Sequence, residues 1–135
     1  MVGIVSYGAY IPIYRLSRDM PWLTWGGLPV GGERSVANFD EDSVTMAVAA
    51  GADCLAGMDP STIDGLYFAT STPSYLVRQQ ASIVSSALDL REDIRVGDFE
   101  SGNKAGTTAL VAALDAAKAG SMKSALVAAA DCRVV

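Results

Sequence analysis

A chain of 135 residues, half of them apolar and 19% charged, is long enough to bury one core and too apolar to be disordered. Its net charge of −5, with no basic run, argues against nucleic acid and anionic membranes as partners, and no apolar run reaches the length of a membrane span. Two cysteines and no histidine leave no Ser-His or Cys-His pair and none of the commonest metal ligand.

The N-terminus lacks a signal-peptide pattern, so the expected location is cytoplasmic, where Cys54 and Cys132 form no disulfide. Neither shows metal-ligand spacing, and no metal is expected. Val2 to Ile13 is β-branched and aromatic and predicts a first strand or a pair of short strands, closed by Pro12. Arg15 to Val36 holds Trp22, Trp25, Gly26-Gly27, Pro29 and Gly31-Gly32, the composition of a loop with a helical turn near Arg18 to Trp25. Such a loop is either functional or a packed Ω-loop. From Asn38-Phe-Asp-Glu-Asp-Ser onward, Val44, Ala47, Val48, Gly51 and Leu55 recur on one helical face, ending near Gly57. After the Asp59-Pro60 turn comes a buried strand within Ile63 to Thr70, then the polar turn Ser71 to Ser74. A second helix is expected over Tyr75 to Leu88, with Val77, Ala81, Val84 and Leu88 on one face.

Ile94 to Phe99 reads as a strand, Glu100 to Gly102 as a turn, and Asn103 to Ala119 as a helix capped by Gly120. That helix is apolar nearly all round and is therefore expected to be buried. Gly106 in its first turn costs about 1 kcal/mol against Ala, which a close neighbour or a ligand would explain. Ser101 or Asn103 is either an ordinary N-cap or part of a site facing the free N–H groups of the helix. Ser124 to Ala130 is a continuous apolar strand. The order βαβαβαβ predicts an α/β fold with a mostly parallel sheet and right-handed crossovers. Neither the Gly-x-Gly-x-x-Gly nor the phosphate-loop pattern is present. The last strand runs directly to Val135, which suggests half of a larger unit or half of a tight pair.

The segments Tyr10-Ile-Pro-Ile-Tyr-Arg15, Trp25-Gly26, Gly32-Glu-Arg-Ser-Val36, Asp40-Glu-Asp-Ser-Val-Thr-Met-Ala47 and Glu100-Ser-Gly-Asn-Lys-Ala-Gly-Thr107 resemble the thiolase superfamily. Specifically, all 135 residues resemble the N-terminal half domain of archaeal-type hydroxymethylglutaryl-CoA synthases and ketoacyl synthase III-like proteins. The resemblance implies a thiolase-like half domain spanning 1–135, with a buried central helix and the second half absent. It implies acyl-CoA as substrate or ligand, no covalently bound cofactor, a homodimer or larger assembly, and a zinc-ribbon/OB-fold protein as a partner. In that family the turn before the central helix carries the nucleophilic Cys, and the turn after the second strand carries a Glu base. Here those positions are Asn103 and Ser71. The family's His belongs to the other half. Asn103 and Ser71 are thus the catalytic positions that the resemblance implies, with Arg15, Trp25, Lys104 and Gly106 around the substrate. Two readings stay open: an enzyme making or breaking a C–C bond on an acyl-CoA without an acyl-enzyme, or a non-catalytic subunit that binds acyl-CoA or scaffolds an active partner.

Overall fold

The computed structural model describes residues 2–26, 28, 31–100 and 102–133, with the backbone alone for 21–23. The chain divides into two compact units, one made of Met1–Tyr10 with Asp42–Val135 and the other of Ile11–Glu41.

The smaller unit was expected to be a loop, and it is more ordered than that. Strands β1 (Tyr14–Ser17) and β2 (Glu33–Val36) pair antiparallel, from Tyr14 opposite Val36 to Ser17 opposite Glu33. Between them lies a short helix α1 (Met20–Trp25), where the helical turn was predicted. The ladder continues as Arg18 N–H donates to the Gly32 carbonyl at 2.9 Å. Gly31 and Gly32, at φ 62° and 83°, take up the left-handed turn that precedes β2. The glycines masked the strand signal of Glu-Arg-Ser-Val, which is too short and polar to stand out by composition. Gly27 and Pro29, which the sequence reading counted in this loop, lie outside the described residues.

In the larger unit a parallel sheet of order β4-β3-β5 is built from β3 (Gly65–Thr70), β4 (Arg95–Glu100) and β5 (Ala125–Ala129). Helices α2 (Ser43–Cys54), α3 (Gln80–Ala87) and α4 (Ala105–Lys118) complete it. Period two along β3 divides the sheet into faces. Leu66 and Phe68, both fully buried, join Leu126, Ala128, Val44, Ala47, Ala81 and Val84 in the core beneath α2 and α3. Tyr67 meets Phe99 edge-on at 5.3 Å on the other face, where Ala129 lies against α4.

The α2 face was legible: Val44, Ala47, Gly51 and Leu55 are buried and Val48 packs against the core. Its N-terminus is closed by a capping box, with Thr45 N–H donating to Asp42 at 2.7 Å and Asp42 N–H to Thr45 Oγ1 at 2.8 Å.

Three expectations are corrected. Val2 to Ile13 contains no strand. Within it, Ser6 Oγ donates to the Cys54 carbonyl at 2.7 Å and Ala9 N–H to Asp53 at 3.0 Å, so the segment runs against the end of α2. Gly8 is required there, because a Cβ would fall 2.3 Å from Cys54 N. The residues have strand propensity, but no strand lies alongside them among the described residues. The second helix begins at Gln80 rather than Tyr75, and Val77, assigned to its buried face, is 97% exposed. Its start is set from β4: the Asp98 carboxylate accepts from both Gln80 N–H and Ala81 N–H at 2.7 Å. Finally, α4 is not buried all round in this chain. Ala109 and Ala113 are buried and Leu114 half-buried, while Leu110 and Val111 are exposed. A single three-stranded sheet covers only one stripe of a helix.

Candidate active site

Parallel α/β sheets place functional groups beyond the carboxyl ends of their strands. At that end β3 runs into Ser71, β5 into Ala130 and Asp131, and β4 ends at Glu100, with Gly102, Asn103 and Lys104 ahead of α4. Because Ala69 is in register with Ala129, Ser71 and Asp131 leave neighbouring strands side by side.

Asp131 grips the start of the β3–α3 turn. Its carboxylate accepts from Ser71 N–H at 2.6 Å, Ser71 Oγ at 2.9 Å and Thr70 Oγ1 at 3.2 Å. Partial burial pushes this carboxyl up, but the Ser71 backbone and hydroxyl bonds, Thr70 and the nearby Arg133 charge outweigh it and hold Asp131 below the usual carboxylate range. Both donors of Ser71 are therefore engaged, and its hydroxyl offers only lone pairs to anything else.

The rest of the turn is held from below. Thr72 Oγ1 accepts from Cys132 N–H at 2.8 Å, which ties β3 to β5 a second time. Ser43 Oγ, fully buried at the start of α2, donates to the Thr72 carbonyl at 3.0 Å and lies 3.0 Å from Ser74 Oγ. Gln80, also fully buried, accepts from Ser74 N–H at 2.9 Å and donates through Nε2 to Glu100 at 2.8 Å. One side chain thus links the turn after β3 to the last residue of β4. Burial also pushes the Asp42 carboxyl up, but bonds from Thr45 N–H, Ser74, the Thr45 hydroxyl and Val44 N–H bring it below the ordinary value.

The turn after β4 carries Gly102, Asn103 and Lys104, all exposed, and α4 begins at Ala105 rather than Asn103. Lys104 occupies the N-cap position with no side-chain cap bond, and Ala105 N–H donates to the Gly102 carbonyl at 3.0 Å. Among the described residues the Asn103 amide has no hydrogen-bond partner. The N-cap alternative thus does not apply to Asn103, and Ser101 lies outside the described residues. A Cβ on Gly106 would stand 3.4 Å from Ala129 Cβ, about ordinary contact distance, so α4 lies against β5 here but packing alone does not demand a glycine.

Of the six residues singled out from the sequence, Ser71, Asn103, Lys104 and Gly106 belong to the larger unit, at this end of its sheet. Arg15 and Trp25 belong to the smaller unit. Arg15 donates to the Pro12 and Tyr14 carbonyls, the latter at 2.9 Å, and Trp25 is 74% exposed at the end of α1. The sequence reading missed Asp131, Gln80 and Glu100. Asp131 stood in plain view after the last apolar strand, but its pairing with Ser71 follows from the strand order β4-β3-β5, which periodicity does not reveal.

The opposite end of the sheet, at the amino ends of its strands, is a polar groove of different character. Asp64 accepts from Lys123 N–H at 2.9 Å and pairs with Arg91 at 3.2 Å, while Arg91 also reaches Asp93 at 2.9 Å. These charges satisfy one another. Among the described residues no cluster of three His, Cys, Asp or Glu is arranged to hold a metal, and no helix is long and apolar enough to cross a membrane.

No family model matches the chain. It is 38% identical over 134 residues to a hydroxymethylglutaryl-CoA synthase of Thermococcus sibiricus, covering 96% of this chain and 38% of that protein. It is 40% identical over 131 residues to the synthase of Pyrobaculum arsenaticum, covering 90% of this chain and 38% of that one. The chain thus spans little more than a third of the length of these relatives. Among solved structures, a 3-oxoacyl-(acyl-carrier-protein) synthase III superposes with a TM-score of 0.85 at 18% identity, over 96% of this chain and 41% of the other. MvaS in complex with 3-hydroxy-3-methylglutaryl coenzyme A superposes with a TM-score of 0.79 at 26% identity, over 88% and 31%. By sequence and by fold, the chain belongs to the thiolase superfamily, as a half domain of the hydroxymethylglutaryl-CoA synthase and ketoacyl synthase III type.

Proposed function

We propose that this chain supplies half of an acyl-CoA site that makes or breaks a C–C bond next to a thioester without forming an acyl-enzyme. The observation that carries the reading is Asn103. Its amide, in the turn ahead of α4, is exposed and without a partner among the described residues, and the resemblance implies that this is the position of the family's nucleophilic Cys. An amide does not attack a thioester, but its NH2 donates well to a thioester or enolate oxygen. The N–H groups of the first turn of α4 point the same way and add a positive partial charge. Ser71 has no donor left for that oxygen, since Asp131 takes both. Oxyanion stabilisation therefore falls to Asn103 and the helix end, and Ser71 faces the ligand as an acceptor. Lys104, exposed at the N-cap, suits a CoA phosphate. That MvaS holds 3-hydroxy-3-methylglutaryl coenzyme A supports a CoA thioester as the ligand class.

Calorimetric titration with CoA thioesters tests the reading. Binding of an acyl-CoA that weakens roughly tenfold in Asn103→Ala supports it, this being the scale of one lost hydrogen bond to a developing or partial charge. Absence of acyl-CoA binding refutes it. The second reading, a non-catalytic subunit, is favoured by one observation: Leu110 and Val111 on α4, with Leu76 and Val77, leave apolar surface uncovered, as at a protein interface. Binding without turnover of any 3-hydroxyacyl or 3-ketoacyl thioester would select it.

A further inference from the structure

We propose that Asp131 is the positioning residue of this site, fixing the Ser71 hydroxyl as a hydrogen-bond acceptor and so selecting an acyl chain that carries a hydroxyl over one that carries a ketone. The inference rests on the acyl-CoA reading above. It starts from two distances: Ser71 Oγ to Asp131 Oδ2 at 2.9 Å and Ser71 N to Asp131 Oδ1 at 2.6 Å. A carboxylate only accepts, so the single O–H of Ser71 must point at Asp131 and its lone pairs point elsewhere. Two bonds from one residue to two oxygens of one carboxylate also remove the rotation that would free the hydroxyl. Thr70 Oγ1 adds a third bond at 3.2 Å, and Thr72 N–H, donating to Thr70 Oγ1 at 3.0 Å, fixes that hydroxyl in turn. No other bond engages Ser71 among the described residues, which leaves the acceptor side open. A ligand hydroxyl donates to that acceptor, whereas a ketone oxygen meets lone pair against lone pair.

The test compares 3-hydroxybutyryl-CoA with acetoacetyl-CoA, which differ only in this group, by calorimetry on the protein and its variants. The wild type is expected to bind the hydroxy thioester about tenfold more tightly, the scale of one hydrogen bond against an unpaired oxygen. Asp131→Asn releases the Ser71 hydroxyl and lets it donate, so the preference should vanish or invert. Ser71→Ala removes the acceptor and should bring the ratio near one, with Asp131→Asn adding nothing further in the double variant. A role in folding alone would lower both affinities together and leave their ratio unchanged, and thermal denaturation of each variant reports that loss separately. A wild-type ratio near one, or an Asp131→Asn ratio equal to the wild type's, overturns the inference while leaving the acyl-CoA reading in place. Failure of either thioester to bind the wild type overturns both.

Discussion

Replacing Gln80 with Leu should destabilise the protein by about 1 kcal/mol, because this side chain joins the turn after β3 to the end of β4. Leu nearly matches Gln in volume, so the fully buried position is left with little cavity and the cost is polar. Two hydrogen bonds disappear, from Ser74 N–H at 2.9 Å and to Glu100 at 2.8 Å. Glu100 is exposed and regains water, so its share is small. Ser74 is exposed too, so water replaces part of the bond its N–H loses, and the loss is the net worth of a hydrogen bond, about 1 kcal/mol. Urea denaturation should show a lower midpoint at unchanged slope. Gln80→Glu sharpens the test. It keeps an acceptor for Ser74 N–H but sets a second carboxylate against Glu100, so it should be destabilising at neutral pH and recover as one carboxyl takes up a proton on acidification. A Gln80→Leu midpoint within error of wild type, or a Gln80→Glu variant indifferent to pH, would refute the view that Gln80 holds the turn after β3 to the end of β4.

Gly8→Ala should lift the N-terminal segment off α2, since its Cβ cannot fit 2.3 Å from Cys54 N; faster hydrogen exchange at Ala9 would report the loss of its bond to Asp53. Asp42→Ala removes the capping-box acceptor and should cost about 1 kcal/mol in thermal or urea unfolding. Asp42 and Asp131 both have folded-state pKa values below the ordinary carboxylate value, so their stabilisation is present above that value and lost as pH falls through the folded one. Asp131→Asn should accordingly flatten the acid limb of a stability-against-pH curve, and an unchanged limb would contradict the Asp131–Ser71 bonding. Asn103→Cys puts a thiol ahead of α4, where the helix end lowers its pKa, and in a chain that includes the second half it should gain acylation by acetyl-CoA in peptide-mapped mass analysis. Condensation should still require Ser71→Glu, because enolate formation needs a base in reach; condensation by the single variant at the double variant's rate would show that Ser71 does not hold the base position.

What could be read from the sequence follows the reach of each signal. The buried face of α2 and the apolar strands Gly65–Thr70 and Ala125–Ala129 are local patterns of period 3.6 or 2, and they appear where expected. Val2 to Ile13 has the same strand-like chemistry but forms no strand, and its Ser6 and Ala9 bond the end of α2 instead, because a strand also needs a partner and propensity does not supply one. The start of α3 was misplaced by five residues because Asp98, on another strand, accepts from its first N–H groups. The uniform apolarity of α4 predicted burial, whereas one sheet covers only Ala109 and Ala113 fully. The turn at Asn103 was singled out through motif likeness, and it lies at the carboxyl end of the sheet. The partners Asp131, Gln80 and Glu100 were not, since each meets its turn across a strand order that only the fold reveals.

Mass spectrometry of the protein with acetyl-CoA, recorded under native and then denaturing conditions, tests the central claim most directly. The account predicts a complex with intact acetyl-CoA in the native spectrum and only unmodified protein after denaturation, because Asn103 offers no nucleophile. An acetyl group that survives denaturation and maps to Cys132 or Cys54 would contradict it, and so would the absence of any complex.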